Sequence, residues 1–226
     1  MRRVAGHPNV VGFVDIFEDS SNFSIVFEIC LGGELMDRIL ARPAFSERDA
    51  SYLFKQMLFG VKHCHDHLVV HRDIKPENFL FESPSDHSPL KIAGFGYSIA
   101  ISTPDEVLCE GFGSAYYIAP EMFNKRYTRA VDMWGLGVIL FLILSGEVPF
   151  GADADVEGDI YRAIQTPEPL VFSSVWNELS SSVRELVSGL LEKDPRMRYT
   201  IERALEHPWV NCEGGPDPMD SDPIAT

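Results

Sequence analysis

The segment His71-Arg72-Asp73-Ile74-Lys75-Pro76-Glu77-Asn78 concentrates chemistry on one short stretch. It sets an acid, Asp73, beside an amine, Lys75, and an amide, Asn78. On one tight loop these three can bring a hydroxyl nucleophile, a phosphate and a metal ion together. The pattern His-Arg-Asp-x-Lys-x-x-Asn is too long to arise by chance.

Such a loop needs a scaffold, and the flanking sequence predicts one. Residues 10–17 and 23–29 are apolar and rich in β-formers, with the polar Glu18-Asp19-Ser20-Ser21-Asn22 between them. They predict a β-hairpin. Gly32-Gly33 breaks the second strand, and Glu34 to Ala41 reads as a short helix. Ser46-Glu47-Arg48-Asp49 has the form of a capping box. After it, Ala50, Leu53, Phe54, Met57, Leu58 and Val61 recur at helical spacing, which predicts a long amphipathic helix over 46–67. Short strands at 68–70, 79–82 and 90–93 flank the 71–78 loop and a polar insertion, Ser83 to Ser88. From Gly94 to Glu121 no period is sustained, so a long loop is expected there. Thr128 to Ser145 is apolar nearly all round and predicts a buried central helix. Further helices are expected near 156–165, 180–192 and 200–208. The tail 211–226, with its prolines and acidic residues, is expected to be disordered. The fold class is α+β: a small β element followed by a large helical body.

Composition narrows the function classes. With 226 residues, 45% of them apolar, the chain can build a real core in one domain of ordinary size or slightly more. A formal charge of -15 argues against nucleic acid and anionic membranes as partners and favours basic ones. Cys30, Cys64, Cys109 and Cys212 form no CxxC pair and read as reduced thiols, which predicts a cytoplasmic or nuclear protein. The longest apolar run, Met133 to Leu144, is too short to span a bilayer. No apolar signal segment follows Met1-Arg2-Arg3-Val4, so secretion is not expected. Asp153 to Gly158 imitates the opening of a calcium-binding loop. The position that needs a bidentate Glu holds Ile164, however, so an ordinary interhelix loop is expected.

Further motifs accompany the 71–78 segment. Gly113-Ser114-Ala115-Tyr116-Tyr117-Ile118-Ala119-Pro120-Glu121, Asp132-Met133-Trp134-Gly135, Asp194-Pro195-Arg196-Met197-Arg198, His207-Pro208-Trp209 and His7-Pro8-Asn9 stand in order over roughly 1–210. Together they resemble the protein kinase superfamily, in its serine/threonine branch because of Lys75. The wording is most similar to plant calcium-dependent protein kinases and the related phosphoenolpyruvate carboxylase kinases. The resemblance implies a protein kinase-like fold, with a remnant of the small lobe over 1–30 (two strands and a helix stub). The complete, mainly helical large lobe spans 31–210, and the acidic tail 211–226.

It also implies roles. Asp73 resembles the catalytic base that orients a substrate hydroxyl, with Lys75 beside the transferring phosphoryl group. Asn78 resembles a magnesium ligand. Glu28 to Cys30 resemble the hinge that offers backbone groups to adenine, with Phe27 as gatekeeper and Leu80 beneath the ring. Glu34 stands where the family contacts the ATP ribose, and Glu34 and Glu77 match acidic positions that read Arg on basic peptides. Arg72, Asp132, Glu121 and Arg198 read as scaffold, with Asp132 bracing the loop and Glu121 pairing with Arg198. His71 reads as core packing. Ser98, Ser102, Thr103 and Ser114 lie in the activation segment, where Arg72 could pair with a phosphate. Ser114 helps shape the substrate groove. The implied cofactors are ATP and magnesium, and the implied partner is a protein substrate.

Two departures oppose that activity. Where the family reads Asp-Phe-Gly, this chain reads Gly94-Phe95-Gly96, which removes a carboxylate that magnesium needs. No Gly-x-Gly-x-x-Gly occurs, and the first Lys is Lys55, inside the long helix, so the phosphate-anchoring lysine and its Glu partner are expected upstream. The prediction is a serine/threonine kinase domain that is strongly impaired as an enzyme. The alternative is a pseudokinase or truncated kinase that acts as a protein-interaction module.

Overall fold

In a computed structural model, residues 1–42, 44–110, 114–154, 156–167 and 170–211 are described. The predicted acidic tail, apart from Asn211, lies outside them, as does Asp155 of the calcium-loop imitation. Strands β1 (Phe13–Glu18) and β2 (Phe23–Phe27) pair antiparallel, with Glu18 opposite Phe23. Asp19 closes the turn, its Oδ1 accepting from the Ser21 and Asn22 N–H groups at 2.7 and 2.8 Å. The predicted first strand began at residue 10, but Val10 and Val11 are buried and bond elsewhere. Val11 N–H donates to Ile92 O, and Ile92 N–H donates to Asn9 O. The hairpin itself leaves Val14, Phe17 and Phe23 more than half exposed.

Helix α1 (Leu35–Leu40) buries Leu35 and Ile39, and Asp37 Oδ2 accepts from Glu34 N–H at its start. Helix α2 (Glu47–Asp66) starts at Ser46, whose hydroxyl accepts from Asp49 N–H at 3.1 Å. All six residues of the predicted apolar stripe are buried on it. Strands β4 (Phe79–Phe81) and β5 (Leu90–Ile92) pair antiparallel. Strand β3 (Val69–Val70) pairs instead with β6 (Ile99–Ala100), a two-residue strand inside the predicted loop and too short to show a period.

Helix α3 (Ala130–Ser145) buries every residue from Val131 on, as its uniform apolarity requires. It ends at Gly146, which adopts φ +73° as a left-handed cap. Helices α2 and α5 (Ser181–Leu190) pack on α3, and α6 (Ile201–Glu206) and α7 (Pro208–Asn211) pack on α2. α4 (Glu157–Gln165) packs near the 115–117 turn and carries Ile164 in the core. The single helix predicted over 200–208 is two. His207 precedes Pro208 and is extended (φ -64°, ψ 135°), because the proline ring disfavours the helical region for the residue before it.

Candidate functional site

The site hangs from the start of α3. Asp132, almost wholly buried, accepts from three donors: His71 N–H at 2.9 Å, Arg72 N–H at 2.8 Å, and the His65 ring, whose Nε2 lies 2.8 Å away. Burial opposes its charge, but the bonds from His65 and His71 prevail and hold its carboxyl below the usual range. These bonds fix Arg72 at φ +68°, a backbone region a bulky residue rarely adopts. The His71 ring meets Ala93 O through Nε2 at 2.7 Å and lies edge-on to Phe95. Its Nδ1 also accepts from Asp73 N–H at 3.3 Å, so the ring, which the sequence reads as core packing, bonds the loop as well as filling space. Glu121 and Arg198 form the expected buried pair, with two bonds of 2.6 and 2.8 Å.

On that frame the structure brings Asp73, Lys75 and Asn78 together. A 3-10 turn over Pro76–Asn78 swings the amide back toward the acid. Asn78 Nδ2 donates to Asp73 O at 2.7 Å and to Asp73 Oδ2 at 3.0 Å. Lys75 Nζ stands 3.4 Å from Asp73 Oδ2 and donates to Ser114 Oγ at 2.8 Å. Ser114 Oγ in turn donates to Asp73 Oδ1 at 3.1 Å, so both carboxylate oxygens of Asp73 are occupied. Ser114 comes from far along the chain, and no local pattern pairs it with Lys75.

Gly94 lies beside this cluster at φ +72°, ψ 33°. A Cβ placed on it would fall 2.1 Å from Asn78 Oδ1 and 2.3 Å from Asn78 Cγ. The amide of Asn78 therefore fills the space that a side chain at 94 would use. A magnesium ion prefers an oxygen-rich octahedral shell that includes carboxylate. The residues present do not fit that demand. Position 94 offers no oxygen from a side chain, and Asn78, whose Nδ2 is bound to Asp73, leaves only its neutral amide Oδ1 in the place of a carboxylate. Among the described residues no group of three or more His, Cys, Asp or Glu side chains is arranged to hold a metal ion.

The nucleotide-side candidates also gather. Leu31 N–H donates to Glu82 O and Gly32 N–H to Phe81 O, which lays the hinge segment along β4. Glu34 bridges Leu80, so the two stand side by side. The Glu28 carboxylate points inward and accepts from Gly12 N–H at 2.6 Å and from Lys91 Nζ at 2.8 Å. Burial pushes the Glu28 carboxyl up, but the bonds from Lys91 and Gly12 prevail and hold it below its usual range. Burial, and then the Glu28 charge, push the Cys30 thiol up. Sequence reasoning missed Lys91, which sits on a strand with no motif to mark it.

Two further groups border the cluster. Glu77 Oε2 is buried without a hydrogen-bond partner. Burial and the neighbouring Glu77 charge raise the Tyr117 hydroxyl pKa. Arg72 donates through Nε to Tyr97 O at 2.7 Å and through Nη1 to Tyr127 OH, and it stands 3.4 Å from Glu110 Oε2. Tyr127 OH donates to Glu110 O. The arginine that the sequence offered to a phosphate thus meets a carboxylate of the same segment.

A family model described as the protein kinase domain matches residues 1–210. The chain belongs to the protein kinase family. It is 46% identical over 208 residues to calcium/calmodulin-dependent serine/threonine-protein kinase 1 of Oryza sativa subsp. japonica, covering 92% of this chain and 34% of that protein. It is 46% identical over 211 residues to CDPK-related kinase 5 of Arabidopsis thaliana, covering 93% of this chain and 35% of that protein. To calcium-dependent protein kinase 25 of Arabidopsis thaliana it is 41% identical over 223 residues, covering 98% of this chain and 42% of that protein. The chain therefore spans well under half the length of these curated relatives. The helical body is the large lobe of the kinase fold, and the hairpin belongs to its small lobe.

Proposed function

We propose that this chain is a serine/threonine kinase domain in which ATP-dependent phosphorylation of protein hydroxyls is strongly impaired, and that it serves as a module for binding protein. The observation that carries this reading is the Gly94–Asn78 contact. One metal carboxylate is absent, and the amide beside it occupies the vacated space. Losing one preorganised charge contact costs a rate of about 10²–10³-fold. The groove side is better preserved. Glu77 is partly exposed although its Oε2 is buried, and α1, which follows Glu34, packs on the 76–78 turn. With a net charge of -15 these features suit a basic peptide and not nucleic acid. No helix among the described residues is long and apolar enough to cross a membrane. The free thiols of Cys30, Cys64 and Cys109 support a reducing compartment, the cytoplasm or the nucleus.

A weakly active kinase is the second reading, favoured by the intact Asp73–Lys75–Ser114 arrangement. Transfer of radiolabelled phosphate to a basic peptide separates the two, with Asp73→Asn as control. Turnover at the level of that control is expected. Turnover clearly above it would establish the active reading. A peptide affinity that falls in Glu77→Gln supports the binding role, and an unchanged affinity counts against it.

A further inference from the structure

Three imidazoles stack where the segment leading into the hairpin meets α2. The His7 ring stacks on that of His63 at 4.5 Å with 25° between the planes, and the His63 ring lies 4.2 Å from that of His67, tilted by 43°. His7 opens the turn that ties the hairpin to the body. Its Nδ1 accepts from Asn9 N–H at 3.1 Å, and its carbonyl accepts from Val10 N–H. Asn9 then donates its side-chain amide to Leu90 O at 2.8 Å and to Gln56 Oε1 at 3.2 Å. On α2, His63 hydrogen-bonds the Val4 backbone, while its Nε2 is buried with no partner. His67 donates from Nδ1 to His63 O at 2.8 Å.

We propose that the His7–His63–His67 stack is a pH-sensitive joint. It fastens the hairpin to the helical body while His7 and His63 are neutral, and it loosens when those two rings take up protons.

Three geometric facts require the neutral form. A proton on His7 Nδ1 removes the acceptor for Asn9 N–H. A proton on His63 Nε2 creates a buried donor with nothing to accept from it. Charge on two adjacent rings sets like charges in contact. The charged groups around the stack bring little relief. On α2 the neighbouring carboxylate, Asp66, is paired with Lys62 at 2.7 Å. The Val4 backbone bond and Asp66 favour a proton on His63, but burial and the His67 ring outweigh them. Burial, together with the neighbouring rings, lowers the affinity of His7 and His63 for protons. The sign follows. A histidine whose folded pKa lies below its unfolded value of about 6.5 favours the closed joint above that pH, and the advantage is lost as pH falls through the folded value.

The test is amide hydrogen exchange on the whole chain at pH ~7.5 and ~5.5, corrected for intrinsic rates. Protection of the Val10, Val11 and Ile92 amides is expected to fall about tenfold at the lower pH, while Ile139 and Leu140 inside α3 change less than about threefold. In the double variant His7→Gln, His63→Gln the pH difference at the joint is expected to vanish. Equal protection at both pH values overturns the proposal, as does a fall that the double variant retains. If that variant does not fold, titration of the wild-type ring protons by NMR decides. Midpoints of His7 and His63 below about 6.5 support the joint, and midpoints at or above it overturn the joint.

Discussion

Replacing Gly94 by Ala tests whether Asn78 has taken over the empty position. The perturbation adds one methyl group, and the structure puts that group 2.1 Å from Asn78 Oδ1. Two costs follow. A residue with a Cβ at φ +72° loses about 1–2 kcal/mol. Asn78 must also turn away, which weakens its bonds to the Asp73 carbonyl and carboxylate, worth about 1 kcal/mol for the neutral partner and about 1.5–3 kcal/mol for the charged one. Because the amide can shift without losing both bonds, a net loss of about 2–4 kcal/mol is expected. For a domain of this size that lowers Tm by about 4–15 °C. Urea unfolding followed by the fluorescence of Trp134, Trp176 and Trp209 measures it. The companion variant Asn78→Gly removes the clashing atoms, so Gly94→Ala in that background should cost only the backbone part, about 1–2 kcal/mol. An equal cost in both backgrounds would refute the reasoning. Gly94→Asp meets the same atoms and adds a second carboxylate beside Asp73. It is expected to destabilise at least as much, and by itself to leave phosphoryl transfer unrestored.

Other perturbations read other parts of the frame. Glu121→Ala leaves the buried Arg198 guanidinium uncompensated and should cost about 3–5 kcal/mol in the same unfolding assay. Lys125 is exposed at φ +51°, so Lys125→Gly should relieve strain with no loss of packing and raise Tm by about 1–4 °C. A fall in Tm would show that the lysine is not strained. Burial pushes the Cys64 thiol up to about 12, so it should resist iodoacetamide at pH ~8 in the folded chain while exposed Cys109 reacts. Mass spectrometry of the labelled peptides reads the order, and labelling of Cys64 as fast as Cys109 would contradict its burial.

Nearly all the long elements were legible because their signals are local. The stripe from Ala50 to Val61 repeats at the helical period, and each of those side chains faces the core. The all-apolar run ending at Ser145 could only be an interior helix. The hairpin showed as two apolar segments around a turn in which the Asp19 carboxylate accepts from the Ser21 and Asn22 N–H groups. The sequence even exposed the weak point, because Gly at 94 cannot offer an oxygen from a side chain in any fold.

What it could not show depends on residues distant in the chain. Ser114 closes the Asp73 network from another segment, and Lys91 reaches Glu28 across the hinge. Glu110 finds Arg72, and His7 finds His63, only after the chain has folded back on itself. Even the loss at Gly94 gained its full meaning in three dimensions, where the Asn78 amide fills the gap. Periodicity and capping are set by neighbours a few residues apart, so they can be read along the chain. Hydrogen bonds between distant segments are set by the packing of α2 and α3, and tertiary structure alone decides them.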